Sequence, residues 1–163
     1  MSATFAFSES NLVGQVVADG IANINFGSVD DHELVPATYP ITRATNSFDK
    51  YIRALFTGSW TEISAIKFWR SDVLGYKTEE TLKASANATY STPSQTSNGD
   101  SDIPLSEGTA LGINSAEGNA TIVYGASGVS GYTGYVRLQL KTTVNTPSGA
   151  TFQKTLCMQY DET

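Results

Sequence analysis

Apolar residues in this chain recur at every second position, and no segment sustains the 3.6-residue period of an amphipathic helix. The clearest window is 48–57, where Ile52, Ala54 and Phe56 share one face while Tyr51 and Leu55 lie on the other. Clusters of Gly, Pro, Asn and Ser separate such windows, as turns do between strands. The pattern predicts an all-β protein with less than about a tenth of its residues in helix.

Seven windows carry the strand pattern. They are 21–26, 48–57, 60–69, 81–90, 120–124, 132–144 and 151–160. Short connections predict two hairpins, one joining the second and third windows and one joining the last two. On this interpretation the chain ends in a paired strand, and only the last three residues remain free.

The strand spacing predicts a single domain, 1–163, folded as an antiparallel two-sheet sandwich. An immunoglobulin-like order fits the pattern best, with the five longest windows as strands B, C, E, F and G in chain order. In strand C, either Trp69 or Phe68 faces the core, because neighbours in a strand point to opposite sides. A jelly roll is the alternative order.

The charge balance argues against two classes of partner. Ten Lys and Arg against sixteen Asp and Glu leave a net charge of -6, which is unfavourable for nucleic-acid phosphates and for anionic membranes. The sequence shows neither a secretory signal pattern nor an apolar run long enough for a spanning helix. We therefore expect no nucleic-acid partner and no membrane partner.

Chemistry-bearing residues are few. One histidine, His32, excludes designs that need two imidazoles, and Cys157 is expected to be a buried structural thiol. The run 30–33 and the acids of 98–102 contain possible ligands for a divalent cation, but solvated charge and turn chemistry explain both. The sequence therefore predicts no metal site, no cofactor, no catalytic residue and no enzyme activity.

Aromatic residues leave a second class of function open, because they could form a platform for stacking sugars. The candidates are Trp60, Trp69, Tyr76, Tyr90, Tyr124, Tyr132 and Tyr135. Packing in the core, or a tyrosine corner at the start of the 132–144 strand, is the alternative role.

Two long irregular stretches, 27–47 and 91–118, are the predicted contact surfaces, because rigid sandwiches carry recognition on their loops. Their apolar residues are the candidate interface anchors, set in polar surroundings as in interface cores. These are Val29, Leu34, Val35, Tyr39 and Ile41 in the first loop, and Ile103, Leu105, Leu111 and Ile113 in the second. The alternative is that the same residues fold back and close the sandwich.

Several segments occur in a characteristic order. Asn-Phe-Gly-Ser at 25–28 is followed by Tyr-Pro-Ile at 39–41, Asn-Ser-Phe-Asp-Lys-Tyr-Ile-Arg at 46–53 and Ile-Ser-Ala-Ile-Lys-Phe-Trp at 63–69. Tyr-Ser-Thr-Pro at 90–93, Ser-Gly-Tyr-x-x-Tyr-Val-x-Leu-Gln-Leu at 130–140 and Tyr-Asp-Glu at 160–162 complete the series. From about residue 24 onward the chain resembles small structural proteins of tailed-bacteriophage virions.

The resemblance implies a virion component, assembled in the host cytoplasm, and brings no catalytic residues with it. A capsid decoration or cement protein is the expected role, and a neck or tail element is the alternative. The implied partners are the major capsid subunit or neck and tail subunits, with assembly as a homo-oligomer or symmetric array. A carbohydrate-binding module is the competing hypothesis from another class.

Overall fold

The computed structural model describes residues 2–71, 79–124 and 131–163. Within these residues the chain is all-β, as predicted, with a single turn of 3-10 helix at Glu107–Thr109 and no α-helix. The strands are β1 Ala3–Asn11, β2 Val16–Asp19, β3 Lys50–Gly58, β4 Glu62–Arg70, β5 Thr81–Asn87, β6 Ser101–Asp102, β7 Leu111–Gly112, β8 Ile122–Val123, β9 Tyr135–Lys141 and β10 Leu156–Glu162.

The strands form two antiparallel sheets. The larger sheet has the order β2-β1-β3-β9-β5-β6, and the smaller sheet has the order β10-β4-β7, with β8 also pairing with β4. The predicted two-sheet antiparallel sandwich is therefore confirmed. The immunoglobulin-like and jelly-roll orders both stay predictions.

The core lies between the sheets and is built from the alternating apolar positions. In β3, Ile52, Ala54 and Phe56 are buried against the smaller sheet, as period-two patterning requires. Phe68 of β4 is fully buried and Trp69 is not, so the core aromatic of this strand is Phe68.

A bulge in β4 changes which residues face the core. Ala65 has a φ of 48°, in the left-handed region, and the pairing with β10 shifts by one residue between Gln159 and Asp161. Two residues of β4 therefore oppose one residue of β10, and this extra residue turns the following β4 side chains to the other face. Ile63 and Ile66 are consequently both buried, although simple alternation places them on opposite faces.

Both predicted hairpins are wrong. The strand β3 pairs with β1 and β9 in one sheet, whereas β4 pairs with β10, β7 and β8 in the other. The last two strands, β9 and β10, are likewise in different sheets. Alternation shows which face of a strand is buried, but it does not show which strand pairs with it. At Gly58, which has a φ of 99°, the chain begins a connection that crosses from one sheet to the other.

Strand boundaries differ from the prediction at both ends of the chain. The N-terminal strands β1 and β2 were not predicted, while 21–26 and 151–155 carry the strand pattern but form no ladder.

The C-terminal residues are not free: Ala3 N donates to Glu162 Oε1 (2.9 Å), and Thr61 N donates to the Thr163 carbonyl (2.6 Å). These bonds fasten both ends of the described chain to the sandwich.

Candidate docking surface

The nine predicted interface residues fall into three groups of equal size. Leu34, Ile103 and Ile113 are buried within the chain itself. Val29, Ile41 and Leu111 are half-buried. Only Val35, Tyr39 and Leu105 are exposed, at 55%, 42% and 60%, so three of the nine offer a partner a large apolar area.

The loop 27–47 folds back on the sandwich because Leu34 packs on Gly27. A Cβ built on Gly27 would lie 2.6 Å from Leu34 Cδ1 and from the Tyr39 carbonyl oxygen, so only glycine permits this approach. Asn25 Nδ2 donates to the Leu34 carbonyl (3.1 Å), and Ser28 N donates to the Tyr39 carbonyl (3.1 Å). Val35 and Tyr39 lie on the outer turn of this folded loop.

The first half of the loop 91–118 lies across the outer face of the larger sheet. Arg137 of β9 donates through Nε and Nη2 to both carboxylate oxygens of Asp100, at 3.0 and 2.5 Å. Gln139 Nε2 donates to the carbonyls of Ser94 (3.4 Å) and Thr96 (3.1 Å). The hydrogen bonds that Arg137 donates to Asp100 raise the pKa of Arg137, and they hold the loop against the sheet.

Asp49 is buried beside this loop. Its backbone N donates to the Ser94 carbonyl, and its carboxylate accepts a hydrogen bond from Asn98 Nδ2 (2.8 Å). Burial raises the pKa of the Asp49 carboxyl from 3.8 to about 6, because desolvation outweighs the attraction of Arg137.

The second half of the same loop contributes to the core. Ile103 N donates to the Leu82 carbonyl and Ile113 N donates to the Ile66 carbonyl, each at 3.0 Å. These bonds add short strand-like contacts to both sheets and direct the two isoleucine side chains inward. Leu105 lies between them and remains exposed.

The acidic run 30–33 has structural partners. Asp30 accepts hydrogen bonds from Asn11 Nδ2 (2.8 Å) and Leu12 N (2.6 Å), and Asp31 accepts one from Glu33 N (2.9 Å). His32 lies 3.8 Å from Asp31 and 3.9 Å from Glu33. Among the described residues no group of three or more His, Cys, Asp or Glu is arranged to hold a metal ion.

The most exposed apolar feature of the described residues is not among those predicted from the sequence. The β1–β2 hairpin, residues 8–19, presents Leu12, Val13, Val16 and Val17, which are 48%, 84%, 49% and 37% exposed. Within the described chain no strand pairs with the outer edge of β2, the terminal strand of its sheet. The signal was present in the sequence, since Leu-Val before Gly14 and Val-Val shortly after it form an apolar hairpin pattern.

The turn of this hairpin, residues 12–15, is hydrogen-bonded to other parts of the chain. Leu12 N donates to Asp30 Oδ2 (2.6 Å), and Tyr90 Oη donates to the Leu12 carbonyl (2.7 Å). Gln15 Nε2 donates to Tyr135 Oη. Gly14, with a φ of 93°, supplies the left-handed backbone of the turn. The exposed valines therefore sit on a fixed support rather than on a loose loop.

Tyrosines beside the hairpin form a cluster on the outer sheet face. The rings of Tyr51, Tyr90 and Tyr135 lie 5.1 to 6.1 Å apart, centroid to centroid. The Arg53 guanidinium lies 3.7 Å from the ring centre of Tyr132, whose hydroxyl donates to Asp19. Burial raises the pKa of Tyr90 and Tyr132. Among the described residues, the hydroxyls of Tyr132 and Tyr135 bond to the side chains of Asp19 and Gln15, and the hydroxyl of Tyr90 bonds to the Leu12 carbonyl.

The other aromatic candidates are dispersed. Trp60 and Tyr124 contact each other edge to face at 5.1 Å, and Trp69 lies on the outward side of β4, while Tyr76 is outside the described residues. The half-buried Cys157 donates to Ser71 Oγ (3.0 Å). The predicted platform is thus reduced to the tyrosine cluster of the larger sheet.

A cleft of about 1000 Å³ opens between the sheets on the side of 21–26 and 146–156. Its apolar lining comprises Phe7, Ile21, Ile24, Phe26, Ile41, Leu82, Leu140, Phe152 and Leu156. Arg43, Lys154 and the buried Glu80 are the charged residues of the lining. The two stretches that were wrongly predicted as complete strands therefore form the walls of this cleft.

Comparison with family models, with curated proteins and with solved structures found no match. No helix in the described residues is long and apolar enough to cross a membrane.

Proposed function

We propose that this chain is a non-enzymatic structural protein of a tailed-bacteriophage virion, a capsid decoration protein that docks on other virion subunits. The observation that carries the proposal is the exposed apolar hairpin at the free edge of the larger sheet. The order of sequence segments that resembles virion proteins supplies the context.

The hairpin has the properties of a docking element. Folded proteins usually protect sheet edges with charge, proline or covering segments, because an open edge recruits other strands. Here the β2 edge presents Val16 and Val17 together with the neighbouring Leu12 and Val13. A partner that buries these four side chains and pairs with β2 would gain apolar contact and main-chain hydrogen bonds at once.

The hydrogen-bonded turn of the hairpin favours binding as well. Asp30 and Tyr90 fix both backbone groups of Leu12, so little conformational entropy is lost when a partner binds. Val35, Tyr39 and Leu105 are additional exposed contacts on the predicted loops. A module that repeats over a particle surface needs such preformed contacts.

The test is mass spectrometry of purified particles from the phage that encodes the chain. A copy number close to that of the major capsid protein supports decoration. About six or twelve copies would instead assign the chain to the neck or tail, which have that symmetry. Absence from particles would overturn the proposal.

A glycan-binding module is the second candidate, supported by the tyrosine cluster. Tyr90 and Tyr132 are half-exposed, and Tyr132 lies beside Arg53 and Asp19, so aromatic faces and hydrogen-bonding groups occur on the same surface. A glycan array tests it directly. Binding that is lost on Tyr132→Ala, with the hairpin intact and the chain absent from particles, would favour this candidate.

A further inference from the structure

We propose that the chain associates with itself head to tail, the β1–β2 hairpin of one copy entering the cleft between the sheets of the next. This inference rests on the proposed function of the hairpin as a docking element and names its partner, a second copy of this chain. Four observations carry it.

The first observation is that the cleft is apolar and partly open. Ile21, Ile24, Phe26 and Ile41 pack against the core yet keep part of their surface exposed, and Phe152 is 47% exposed. A site of about 1000 Å³ is at the upper end of the range for ligand pockets. A cleft of this volume has room for several side chains.

The second observation is that the cleft wall offers backbone groups for strand pairing. Residues 22–26 carry a strand pattern, but within the described chain no backbone–backbone hydrogen bond involves their N–H groups. The opposite wall leads into β10, an edge strand of the smaller sheet. An incoming strand would find hydrogen-bond partners for its own N–H and carbonyl groups along residues 22–26.

The third observation is that charge on the two surfaces is complementary. The hairpin is flanked by Asp19, Asp30 and Asp31, whereas the cleft lining carries two basic residues, Arg43 and Lys154, and one acidic residue, the buried Glu80. Arg43 is exposed and donates to Ser148 Oγ (2.7 Å). Copies of a chain with a net charge of -6 repel each other in general. Contact between the acids that flank the hairpin and the basic residues of the cleft therefore favours the head-to-tail orientation.

The fourth observation is that a molecule cannot fill its own cleft. Phe7 of β1 lines the cleft, and Leu12 directly follows the end of β1, in the hairpin turn. Five residues of strand separate these positions by about 16 Å at about 3.3 Å per residue. The contact is therefore between different surfaces of two copies, which produces a ring when the rotation closes and an open chain when it does not.

The test is sedimentation velocity of the full chain over a range of concentrations, with two variants that each disable one side. Val13→Asp places a charge on the hairpin tip. The double variant Ala22→Glu with Arg43→Glu makes the cleft acidic at exposed positions. Leu105→Asp, on an exposed residue that belongs neither to the hairpin nor to the cleft lining, is the matched control, and circular dichroism verifies that each variant is folded.

We expect the wild type and the Leu105→Asp control to form assemblies that grow with concentration. Each disabling variant alone should be monomeric, with association weakened at least about tenfold. A mixture of the two variants should form a dimer and nothing larger, because one intact hairpin and one intact cleft remain between them. This complementation is the signature of a head-to-tail contact.

A monomeric wild type at all concentrations would overturn the inference, as would a mixture that stays monomeric. A small apolar molecule found in the cleft by native mass spectrometry, with wild-type association unchanged on its removal, would overturn it too. The proposed function is judged separately. If the chain is monomeric in solution yet incorporates into particles, the self-association fails while the docking role stands.

Discussion

Lys50 Nζ lies 2.7 Å from Glu9 Oε1, and the two side chains are 1% and 0% exposed. The pair joins β3 to β1 at the end of the sandwich beneath the loop 27–47. Lys50 also donates to the Asp31 carbonyl (2.7 Å), and Asn11 Nδ2 donates to Glu9 (2.8 Å). The ion pair thus ties the first strand, the third strand and the acidic run together.

Removing one partner of this pair should be strongly destabilising, because the remaining charge stays buried without compensation. We expect Lys50→Met to lower the free energy of unfolding by about 3–5 kcal/mol. The double variant Glu9→Leu with Lys50→Met should recover most of this loss, since it leaves no buried charge. Urea denaturation of both variants measures the difference. Equal losses in the single and double variants would show that the charge pairing is not the cause.

Asp49 should lower the free energy of unfolding as pH rises, whereas carboxylates with a lowered pKa have the opposite effect. Its folded pKa of about 6 exceeds the ordinary 3.8, so between these values the folded state binds more protons than the unfolded state. The contribution of this group to stability is therefore present below pH 4 and is lost as pH rises through about 6. The rise in pKa from 3.8 to about 6 corresponds to about 3 kcal/mol in the free energy of unfolding.

The measurement is the free energy of unfolding of the wild type and of Asp49→Asn between pH 4 and 7. Asparagine keeps an oxygen to accept the bond from Asn98 and does not titrate. The variant should gain stability relative to the wild type as pH rises. A difference between the two proteins that does not change with pH would contradict the raised pKa.

Asp100 should hold the loop 91–100 on the outer sheet face. We expect Asp100→Ala to cost about 1.5–3 kcal/mol, because it breaks two charge-assisted hydrogen bonds to Arg137. Asp102→Ala is the matched control, since the Lys83–Asp102 pair is mostly solvent-exposed on its acidic side and should contribute less than about 1 kcal/mol. Equal effects in thermal melts would show that Asp100 is no more important than a surface charge.

Gly27→Ala should destabilise the folded loop 27–47 by about 1–3 kcal/mol, the usual cost of overpacking. The added Cβ would collide with Leu34 and with the Tyr39 backbone. Gly108→Ala is the control, because a Cβ there meets no atom within 4 Å. Hydrogen exchange should report faster exchange at Ser28 N, which bonds to Tyr39. Unchanged exchange at this amide would contradict the proposed packing.

The sequence predicted the fold class because alternation is a local property that burial enforces. Ile52, Ala54 and Phe56 could be assigned to the core without knowing which strand lies beside them. Strand partners are non-local, and this is why both hairpin predictions failed. The face change in β4 was also unpredictable, since nothing in the residue Ala65 itself signals a left-handed backbone.

The candidate site was predicted only in part for a similar reason. Apolar residues in a loop can be buried either by a partner or by the chain's own core. Leu34, Ile103 and Ile113 are buried in the core. The hairpin at Leu12–Val17 was readable from its apolar residues around Gly14. What the sequence could not indicate is that β2 ends the sheet with its outer edge uncovered.

The most direct test of the docking role is incorporation of a hairpin variant into particles. The variant carries Val13→Ser, Val16→Thr and Val17→Thr, which remove apolar surface while threonine preserves strand propensity. Its control changes the exposed loop residues Val35, Tyr39 and Leu105 to serine. Thermal melts of both variants verify that the fold is retained.

Quantitative mass spectrometry of purified particles then compares the copy number of each variant with that of the wild type. If the hairpin is the docking surface, its variant melts within a few degrees of the wild type, yet its copy number falls at least about tenfold, while the loop variant incorporates more fully. Wild-type incorporation of the polar hairpin variant would contradict the account.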